Sequence, residues 1–328
     1  MTLALQLVTY NSSPYLRKLL PALRAQTLQG WTLYVRDHSG KAEEVARLEA
    51  SLRESGVPFR FEAGENIGFA NGHNRLYQQH AAEAVAFVNP DLVPEPDYYE
   101  RLVECLVHHA GVGSVQGLLL RGDSGDPSVA MIDSLGLELR GIGDVRDGGA
   151  GTPARLYLER SESLKIFGVA GAAPVYRRSA LEWAKPTHGC PLDERFFLYK
   201  EDVELAIRLH RAGYEAYLVP SARSWHGRAV GRTSFRDRAK SEFKRPAVIR
   251  VASYVDQWKI YVMHASPRTA WSQLPATVVA EVFRTVALLL SPKLFVRAWS
   301  EFFRDFRSLK RSRQDYAKRF SRDWHTPF

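Results

Sequence analysis

Short apolar runs alternate along the first part of the chain with stretches in which leucine and other apolar side chains recur every three or four residues. The short runs predict buried strands, and the stretches with helical spacing predict helices that cover a sheet. The predicted strands span residues 3–8, 32–35, 59–61 and 84–88, and the predicted helices span residues 14–25, 42–53 and 71–79. This alternation predicts an α/β protein with a Rossmann-like, mostly parallel sheet flanked by helices.

The rest of the chain follows a different pattern. Residues 121–165 are rich in glycine and aspartate, which is typical of hairpins and loops, and residues 165–170 predict one more strand before a run of small residues. From about residue 240 onward the spacing of apolar residues becomes helical. We therefore expect a first domain over residues 1–235 and a helical extension over residues 236–328.

Polar clusters follow three of the predicted strands. They are Thr9-Tyr10-Asn11, Asp37-His38-Ser39 and Asn89-Pro90-Asp91. In open α/β sheets ligands bind beyond the carboxyl ends of parallel strands, so these clusters predict one binding site at a single edge of the sheet. The chain has no GxGxxG after its first strand and no GxxxxGK[ST], which argues against a dinucleotide dehydrogenase and a P-loop nucleotidase.

An acidic pair lies at the start of a predicted helix later in the chain. The pair is Glu201 and Asp202, and Asp202 begins a helical run that Gly213 is expected to end. The partial positive charge of a helix N-terminus favours an ionised carboxylate, and such a carboxylate can take a proton from a hydroxyl group. The residues of this stretch alone leave two interpretations open, a catalytic base or a simple cap on a surface helix.

The charge of the chain is unevenly distributed. Residues 1–225 carry 24 Lys and Arg against 28 Asp and Glu, a net charge of −4, whereas residues 226–328 carry 21 against 8, a net charge of +13. Between residues 294 and 309, apolar and aromatic side chains fall on one helical face, with basic side chains largely off it. Such a basic amphipathic helix is typical of proteins that lie on a membrane surface. Packing of these helices on the body is the alternative, and nucleic acid is disfavoured because the aromatic residues have burial spacing.

Cysteine usage and the start of the chain bear on the compartment. Cys105 and Cys190 have no metal-ligand spacing and are expected to be free thiols in a reducing compartment. The chain begins with an apolar, strand-like run that lacks the basic flank and cleavage site of a signal peptide. We therefore expect a cytoplasmic protein that is held peripherally at the inner face of the plasma membrane.

Taken together, these motifs resemble an inverting glycosyltransferase of family two, with the GT-A fold, and within that family the bacterial rhamnosyltransferase-like branch. The matching segments are residues 8–12, 37–39, 66–74, 88–91 and 168–173, followed by Glu201, Asp202, Arg208 and Gly213. They occur in the family's order and cover about two thirds of the chain. The resemblance implies a nucleotide-sugar half over residues 1–95 and an acceptor half over residues 96–235.

The resemblance also implies roles for individual residues. Nucleotide-sugar binding is implied for Thr9, Tyr10, Asn11, Asp37, Ser39, Asn66, Gly68, Phe69, Asn74, Asn89 and Asp91. Acceptor binding is implied for Gly171, Phe197, Tyr199 and Glu201. Asp202, with Glu201 beside it, matches the catalytic base. A divalent cation, Mg2+ or Mn2+, is expected at Asp91 with His226 as a further ligand, and packing beside Trp225 is the alternative for His226.

Two positions depart from the family pattern. Asn89 stands where the DxD motif has its first aspartate, so the cation has one fewer anionic ligand, and His38 stands where asparagine is more usual. Two alternatives to an active transferase follow. A scaffold subunit that binds sugar nucleotides is favoured by Asn89, whereas a nucleotidyltransferase is disfavoured because residues 8–12 hold neither glycine nor lysine.

The expected ligands also follow from the resemblance. The donor is a nucleoside-diphosphate sugar, either dTDP-rhamnose or a UDP-sugar, and the acceptor is a hydroxyl group of a glycan or a lipid-linked glycan in polysaccharide biosynthesis of the cell envelope. Peripheral membrane contact through the C-terminal helices suits such an acceptor. A homo-oligomer is compatible with the sequence.

Overall fold

The computed structural model describes residues 1–139, 145–186, 189–227, 247–265 and 288–320, together with positions 278, 281, 282 and 284–286. The strands are β1 (Leu3–Thr9), β2 (Thr32–Asp37), β3 (Phe59–Ala63), β4 (Ala84–Val88), β5 (Leu92–Pro94), β6 (Val112–Arg121), β7 (Ile132–Ser134), β8 (Leu137–Leu139), β9 (Val145–Asp147), β10 (Leu164–Ile166), β11 (Pro174–Arg177) and β12 (Glu215–His226). The helices are α1 (Ser13–Arg24), α2 (Ala42–Glu54), α3 (Phe69–Tyr77), α4 (Tyr98–His108), α5 (Arg178–Ala184), α6 (Glu201–Arg211), α7 (Ala247–His264) and α8 (Pro292–Arg319), and a 3-10 turn spans Ala154–Leu156.

One large sheet with the strand order β10-β12-β6-β11-β4-β1-β2-β3 forms the centre of the molecule. β4, β1, β2 and β3 form one group of mutually parallel strands, and β6 and β12 form a second parallel pair. β11 runs antiparallel between β4 and β6 and so joins the two parallel groups. The predicted α/β class, with a large, mostly parallel sheet flanked by helices, is confirmed.

The parallel strands bring the predicted polar clusters to one edge of the sheet. β1 lies between β4 and β2 in the sheet. Its residues are therefore buried on both faces, as its continuous apolar run predicts. It pairs with β2 in a register that places Thr9 opposite Asp37. On the other side β1 pairs with β4, with Leu7 opposite Val88, so the residues that follow β4 lie beside those that follow β1.

The segment after β10 departs from its predicted structure. Residues 165–170 were expected to form a strand, but β10 ends at Ile166. Beyond it, backbone N–H groups bond side chains instead of a neighbouring strand: the N–H of Ala170 donates to Oε1 of Gln116 at 2.7 Å, and the N–H of Gly171 donates to Oδ2 of Asp202 at 3.0 Å. Side chains therefore satisfy these two N–H groups, whereas the Gly168 carbonyl oxygen accepts from the Leu137 N–H of β8, and the segment leads into β11.

The C-terminal helices pack on the body. Val251, Val255 and Ile260 of α7 and Phe302 and Leu309 of α8 belong to the same buried cluster as the apolar face of α6. The packing alternative is therefore realised for the inward faces of these helices. The predicted domain boundary at residue 235 lies outside the described residues and stays a prediction. None of the helices in the described part of the chain is both long and apolar enough to cross a membrane.

A buried ion pair ties α6 to the elements around it. Glu204 and Arg208 are one helical turn apart with fully buried side chains, and Arg208 Nε lies 2.8 Å from each carboxylate oxygen of Glu204. Arg208 also donates to the carbonyl oxygens of Ala184 and Pro191 at 2.7 and 2.8 Å, and His264 of α7 lies 3.2 Å from Glu204. Because of Arg208 and His264, the pKa of Glu204 falls to about 2 despite the opposing effect of burial.

Replacing Arg208 should strongly destabilise the fold. Arg208→Met leaves the Glu204 carboxylate buried without its main partner and two carbonyl groups without donors, so we expect a loss of about 3–5 kcal/mol. Arg53→Gln, which removes an exposed ion pair with Glu49, is the control and should cost about 0.5 kcal/mol or less. Urea unfolding followed by circular dichroism measures both, and equal midpoints for the two variants would contradict the central role of Arg208.

Candidate functional site

The ends of β1 and β2 form the first part of the site. The Thr9 hydroxyl donates a hydrogen bond of 2.9 Å to Oδ1 of Asp37. The Ser39 N–H donates to Oδ2 of Asp37 at 3.1 Å, and the Ser39 hydroxyl bonds the same oxygen. Asp37 is fully buried. The structure therefore brings together three residues that the resemblance assigned to the nucleotide, and it fixes the orientation of the carboxylate between them.

Tyr10 and Asn11 lie at the rim of this edge. The Tyr10 side chain is 59% exposed. Asn11 has φ 52°, in the left-handed region that asparagine tolerates better than most residues. The turn is closed by Ser12, whose hydroxyl lies 3.2 Å from both the N–H and the carbonyl oxygen of Tyr10. The Tyr10 ring is thus presented to solvent, where it can stack on a planar ligand.

His38 has a packing role that the sequence left open. Nε of Arg36 donates a hydrogen bond of 2.9 Å to Nε2 of His38, which therefore acts as an acceptor. Burial, reinforced by the charge of Arg36, lowers the pKa of His38 to about 4, so the imidazole is neutral at pH 7. Its Cε1 would lie 2.8 Å from a Cβ atom added at Gly72, so the glycine lets α3 approach the imidazole closely.

Gly68 joins the loop before α3 to the loop before α6. The side-chain oxygen of Asn66 accepts a hydrogen bond of 3.0 Å from the Gly68 N–H, and the Phe69 N–H donates to the carbonyl oxygen of Phe197 at 2.8 Å. Gly68 has φ +86°, and a Cβ atom there would lie 2.5 Å from the Phe197 carbonyl oxygen. Only glycine meets both constraints, so donor-side and acceptor-side residues of the expected site are in direct contact.

Both polar atoms of the Asn74 side chain are used in contacts within the protein. Its amide nitrogen donates to the Leu192 carbonyl oxygen at 2.8 Å, and its amide oxygen accepts from the Leu192 N–H at 3.0 Å. Asn74 is also buried. The structure therefore gives it the role of holding residue 192 in place, and its direct contact with a donor stays a prediction.

His226 lies between two carboxylates at the end of β12. Its Nδ1 is 2.8 Å from Oδ2 of Asp133, and its Nε2 is 3.3 Å from Oδ1 of Asp91. Burial alone lowers the pKa of His226, but the hydrogen bonds to Asp133 and Asp91 outweigh it and raise the pKa above the ordinary value of 6.5. The alternative of a histidine merely packed beside Trp225 does not describe these polar contacts.

The donor set fits a divalent cation only in part. Within the described segments, no group of three or more His, Cys, Asp or Glu side chains has the arrangement of a metal site. Asp91 and His226 nevertheless face each other, and a histidine whose other ring nitrogen bonds a carboxylate is a common metal ligand. Two protein ligands leave positions that phosphate oxygens can fill, as is usual for Mg2+.

Asp202 lies at the start of α6. Its Oδ2 accepts a hydrogen bond of 3.0 Å from the Gly171 N–H, and its Oδ1 accepts one of 2.8 Å from the Val203 N–H. Burial raises the pKa of Asp202 above 3.8, against the opposing effect of the hydrogen bond from Gly171. Gly171 is small enough for this approach, since an added Cβ atom would only touch the Asp202 side chain, at 3.4 Å.

Glu201 differs from Asp202 in its surroundings. It is buried, and among the described residues no group bonds its Oε2. Burial, followed by the charge of Asp202, raises the pKa of Glu201 well above 4.5, which favours its neutral form. Tyr199 and Lys200, directly before it, have φ 72° and 67°. Two successive non-glycine residues in the left-handed region are strained and set the direction in which the acidic pair points.

The aromatic loop before α6 has one buried and two exposed rings. Phe196 is fully buried, whereas Phe197 and Tyr199 are 38% and 44% exposed. Phe196 therefore belongs to the core, and Phe197 and Tyr199 are the two exposed rings whose role as an acceptor wall stays a prediction. The same loop is held by the C-terminal helices, because Lys259 of α7 donates to the carbonyl oxygen of Arg195.

A short chain of backbone contacts connects the two parts of the site. The Asn89 N–H donates to the carbonyl oxygen of Ala172 at 3.0 Å, and the neighbouring Gly171 N–H bonds Asp202. Asp91, two residues beyond Asn89, and the acidic pair are therefore held against the same three-residue segment.

Three residues of the site were not predicted. Gln116, fully buried in β6, orients residues 170–171 through its hydrogen bond to Ala170. Asp133 orients His226, and Lys259 supports the loop before α6. Buried polarity at Gln116 in an otherwise apolar run was a detectable signal. Asp133 and Lys259 lay in segments with no motif, and only the tertiary structure brings them to the site.

Comparisons with known proteins agree with this geometry. The sequence profile of glycosyl transferase family 2 matches residues 6–183, more than half of the chain. The chain is 27% identical over 245 residues to N-acetylglucosaminyl-diphospho-decaprenol L-rhamnosyltransferase of Mycobacterium tuberculosis, covering 68% of this chain and 75% of the relative. It is also 27% identical over 182 residues to probable glucomannan 4-beta-mannosyltransferase 14 of Arabidopsis thaliana, covering 53% of this chain and 30% of the relative.

Solved structures support the fold. GalNAc-T7 with UDP, GalNAc and Mn2+ superposes with a TM-score of 0.66 at 11% identity, over 97% of this chain and 54% of that chain. Mannosyltransferase PcManGT from Pyrobaculum calidifontis, in complex with GDP-Man and Mn2+, gives a TM-score of 0.52 at 13% identity, over 97% and 85%. This chain thus spans about half the length of the first of these and has the GT-A fold they share.

The family match and the rhamnosyltransferase relative also confirm the predicted enzyme class. With the sheet edge and its polar clusters in the expected places, the chain belongs to glycosyl transferase family 2 and resembles the rhamnosyltransferase-like branch of that family.

Proposed function

We propose that the enzyme moves a sugar from a nucleoside diphosphate to an acceptor hydroxyl group with inversion at the anomeric carbon, using Asp202 as the general base. One observation carries the proposal. Asp202 starts α6 with each carboxylate oxygen held by one backbone N–H, and the segment that holds it also holds the end of β4, where Asp91 lies. These contacts support a base at Asp202 and a site for the leaving group at Asp91, because one backbone segment, residues 171–172, bonds both Asp202 and the end of β4.

The proposed reaction uses the environments of the two adjacent carboxyls. Each Asp202 oxygen keeps an unused lone pair after accepting one hydrogen bond, so it can accept the acceptor's proton as that oxygen attacks the anomeric carbon. The raised pKa of Asp202 makes it a stronger base than an exposed aspartate. Glu201, kept neutral by burial, adds no second negative charge beside it. The nucleoside diphosphate departs from the opposite face.

We propose that Asp37, Thr9 and Tyr10 bind the nucleoside and that Asp91 and His226 hold Mg2+ or Mn2+. When bound, the cation neutralises the charge that develops on the departing diphosphate. His226 would hold the cation through Nε2 in its neutral form, with the Nε2 proton lost to solvent and the Nδ1–H still donating to Asp133. Asn89 contributes its backbone, bonded to Ala172, rather than a second negative charge.

We propose dTDP-rhamnose as the donor and a lipid-linked glycan as the acceptor. The printed name of the Mycobacterium tuberculosis relative is that of an L-rhamnosyltransferase acting on a diphospho-decaprenol-linked sugar. Such an acceptor would place the enzyme at the cytoplasmic face of the plasma membrane. UDP-sugars are the alternative donors, and a donor panel scored by the rise in thermal midpoint separates them, because a ligand that binds the native state stabilises it.

The second candidate function is a binding or scaffold subunit without turnover. Asn89 in place of an acidic ligand favours it. The oriented Asp202 carboxylate favours the enzyme, since a binding protein has no need of a raised pKa at that position. Nucleotide release from the panel, with and without Mn2+, distinguishes the two.

Asp202→Asn should abolish most turnover. The amide cannot take the proton but has nearly the same shape, so we expect kcat to fall by a factor of about 100 or more while the dissociation constant of the donor stays nearly unchanged. Sugar transfer and donor binding by calorimetry measure the two quantities. Glu194→Gln, at an exposed position of the same loop, is the matched control and should keep wild-type kcat. Near-normal transfer by the Asp202 variant would refute the assignment.

The dependence of kcat on pH should report the titration of Asp202. Because burial raises the pKa of Asp202, kcat should fall with decreasing pH through a limb that lies above 3.8, the ordinary value for aspartate. The residual activity of the Asp202→Asn variant should lack this limb. Rates are measured in the pH range where circular dichroism shows the fold intact. A limb that persists in the variant would assign it to another group.

Asp133→Asn should lower the affinity for the metal ion, although Asp133 is not one of the proposed ligands. Its carboxylate orients His226 through a 2.8 Å hydrogen bond, and loss of such support typically costs about 10–100-fold in metal affinity. Mn2+ titration by electron paramagnetic resonance in the presence of dTDP or UDP measures the affinity directly. Asp126→Asn, on an exposed loop nearby in sequence, is the control. Unchanged Mn2+ affinity in the Asp133 variant would exclude His226 as a ligand.

A further inference from the structure

The outward side of the C-terminal helices is unusually apolar. Of the seventeen large hydrophobic side chains that are exposed in the described part of the chain, seven fall between residues 278 and 303. We call these seven the outer apolar row; they are Val278, Val282, Val286, Leu289, Leu290, Val296 and Phe303. The described positions from 278 to 289 are helical, and 278, 282 and 286 recur at the four-residue spacing that places side chains on one face.

In α8 the row is flanked by basic side chains. Val296 and Phe303 are 66% and 63% exposed and lie two helical turns apart on the same side. Arg307 and Lys310, both exposed, lie one and two further turns along that side. Over the whole helix, nine Lys and Arg face three Asp and Glu. Two of those acids have basic partners: Glu301 bonds Arg297, and Asp305 lies 3.5 Å from the buried Lys259.

The other side of α8 packs on the body and explains why its remaining aromatic residues are not exposed. Ala298, Phe302 and Leu309 are buried in the shared core. Trp299 packs edge-on against Phe302 at 5.5 Å between ring centroids. The helix thus has two apolar sides, and packing on the body accounts for only one of them.

We propose that the outer apolar row and the basic residues beside it dock the enzyme on a bilayer that contains anionic lipids. An exposed apolar strip bordered by Lys and Arg matches a membrane interface, where apolar side chains enter the acyl boundary and basic ones meet headgroup phosphates. A second copy of the chain fits poorly, because the segment from residue 226 onward carries +13 and would face an equal charge.

α8 lies beside the loop before α6 that carries Phe197 and Tyr199, which we call the acceptor loop, and this position indicates what membrane docking would serve. Arg195, at the base of the loop that carries Phe197 and Tyr199, donates to the hydroxyl groups of Ser308 and Ser312 on α8 at 3.1 and 3.0 Å. The acceptor loop and the docking surface are therefore separated by about one helix diameter, roughly 10 Å. The docking proposal deepens the proposal of a lipid-linked acceptor, and only the biological purpose of docking rests on that acceptor. Vesicle binding itself is measured without sugar transfer.

Flotation of the full chain with vesicles tests the proposal. One set of vesicles contains phosphatidylcholine alone and the other contains phosphatidylcholine with phosphatidylglycerol. We expect binding to the anionic set that weakens with added salt. Arg307→Glu combined with Lys310→Glu should lower the partition coefficient about thirtyfold or more, since each basic residue contributes about fivefold. Val296→Asp combined with Phe303→Asp should abolish binding.

Val129→Asp, at a side chain 79% exposed in the loop before β7, is the matched control and should bind vesicles like the wild type. Unchanged thermal midpoints and unchanged donor binding show that the variants are folded. Absence of binding to anionic vesicles would overturn the proposal, as would equal binding by the wild type and the Val296/Phe303 variant. A wild-type dimer in light scattering that this variant converts to a monomer would assign the surface to a second copy. Inactive protein that still binds anionic vesicles would reject the proposed transferase alone.

Discussion

The buried pair of Glu204 and Arg208 is the interaction on which the catalytic half depends. Both side chains are removed from water, so each charge is tolerable only because the other and a set of oriented hydrogen bonds compensate it. Arg208 fixes the ends of two neighbouring segments through Ala184 and Pro191. The helix that Arg208 anchors begins with Glu201 and Asp202, so the position of the proposed base depends on a charge pair within the two helical turns that follow it.

Around that anchor the site is assembled mostly by backbone groups. Gly171 binds Asp202, Ala172 binds Asn89, and Phe197 binds the turn at Gly68 through its carbonyl oxygen. Backbone groups hold positions with little freedom, which suits a reaction whose base and leaving group must stay on opposite sides of one sugar. The exposed side chains at the rim, Tyr10 and Tyr199 among them, are the ones expected to meet ligands.

The sequence was informative where one local pattern decides the structure. Apolar runs located β1, β2 and β4, and the rule for strand ends located Thr9, Asp37 and Asp91, because parallel register converts positions in the chain into positions at one edge. It was silent on β6 and α4, which no prediction covered, and it misplaced the strand after residue 165, because Gln116 and Asp202 take backbone donors that a neighbouring strand would otherwise use. The link from His226 to Asp133 spans 93 residues, and nothing local in the sequence encodes it.

The contact between Gly68 and Phe197 has a consequence for how such an enzyme can diversify. The turn before α3 is bonded to the carbonyl oxygen of residue 197, a group that every amino acid carries. The glycine is therefore constrained by its backbone and by the lack of space for a Cβ atom, whereas the partly exposed side chain at 197 is not needed for that hydrogen bond. With Phe197 in its proposed acceptor role, acceptor preference can change through that side chain while the turn at Gly68 keeps its support, so the two proposed recognition properties can evolve separately.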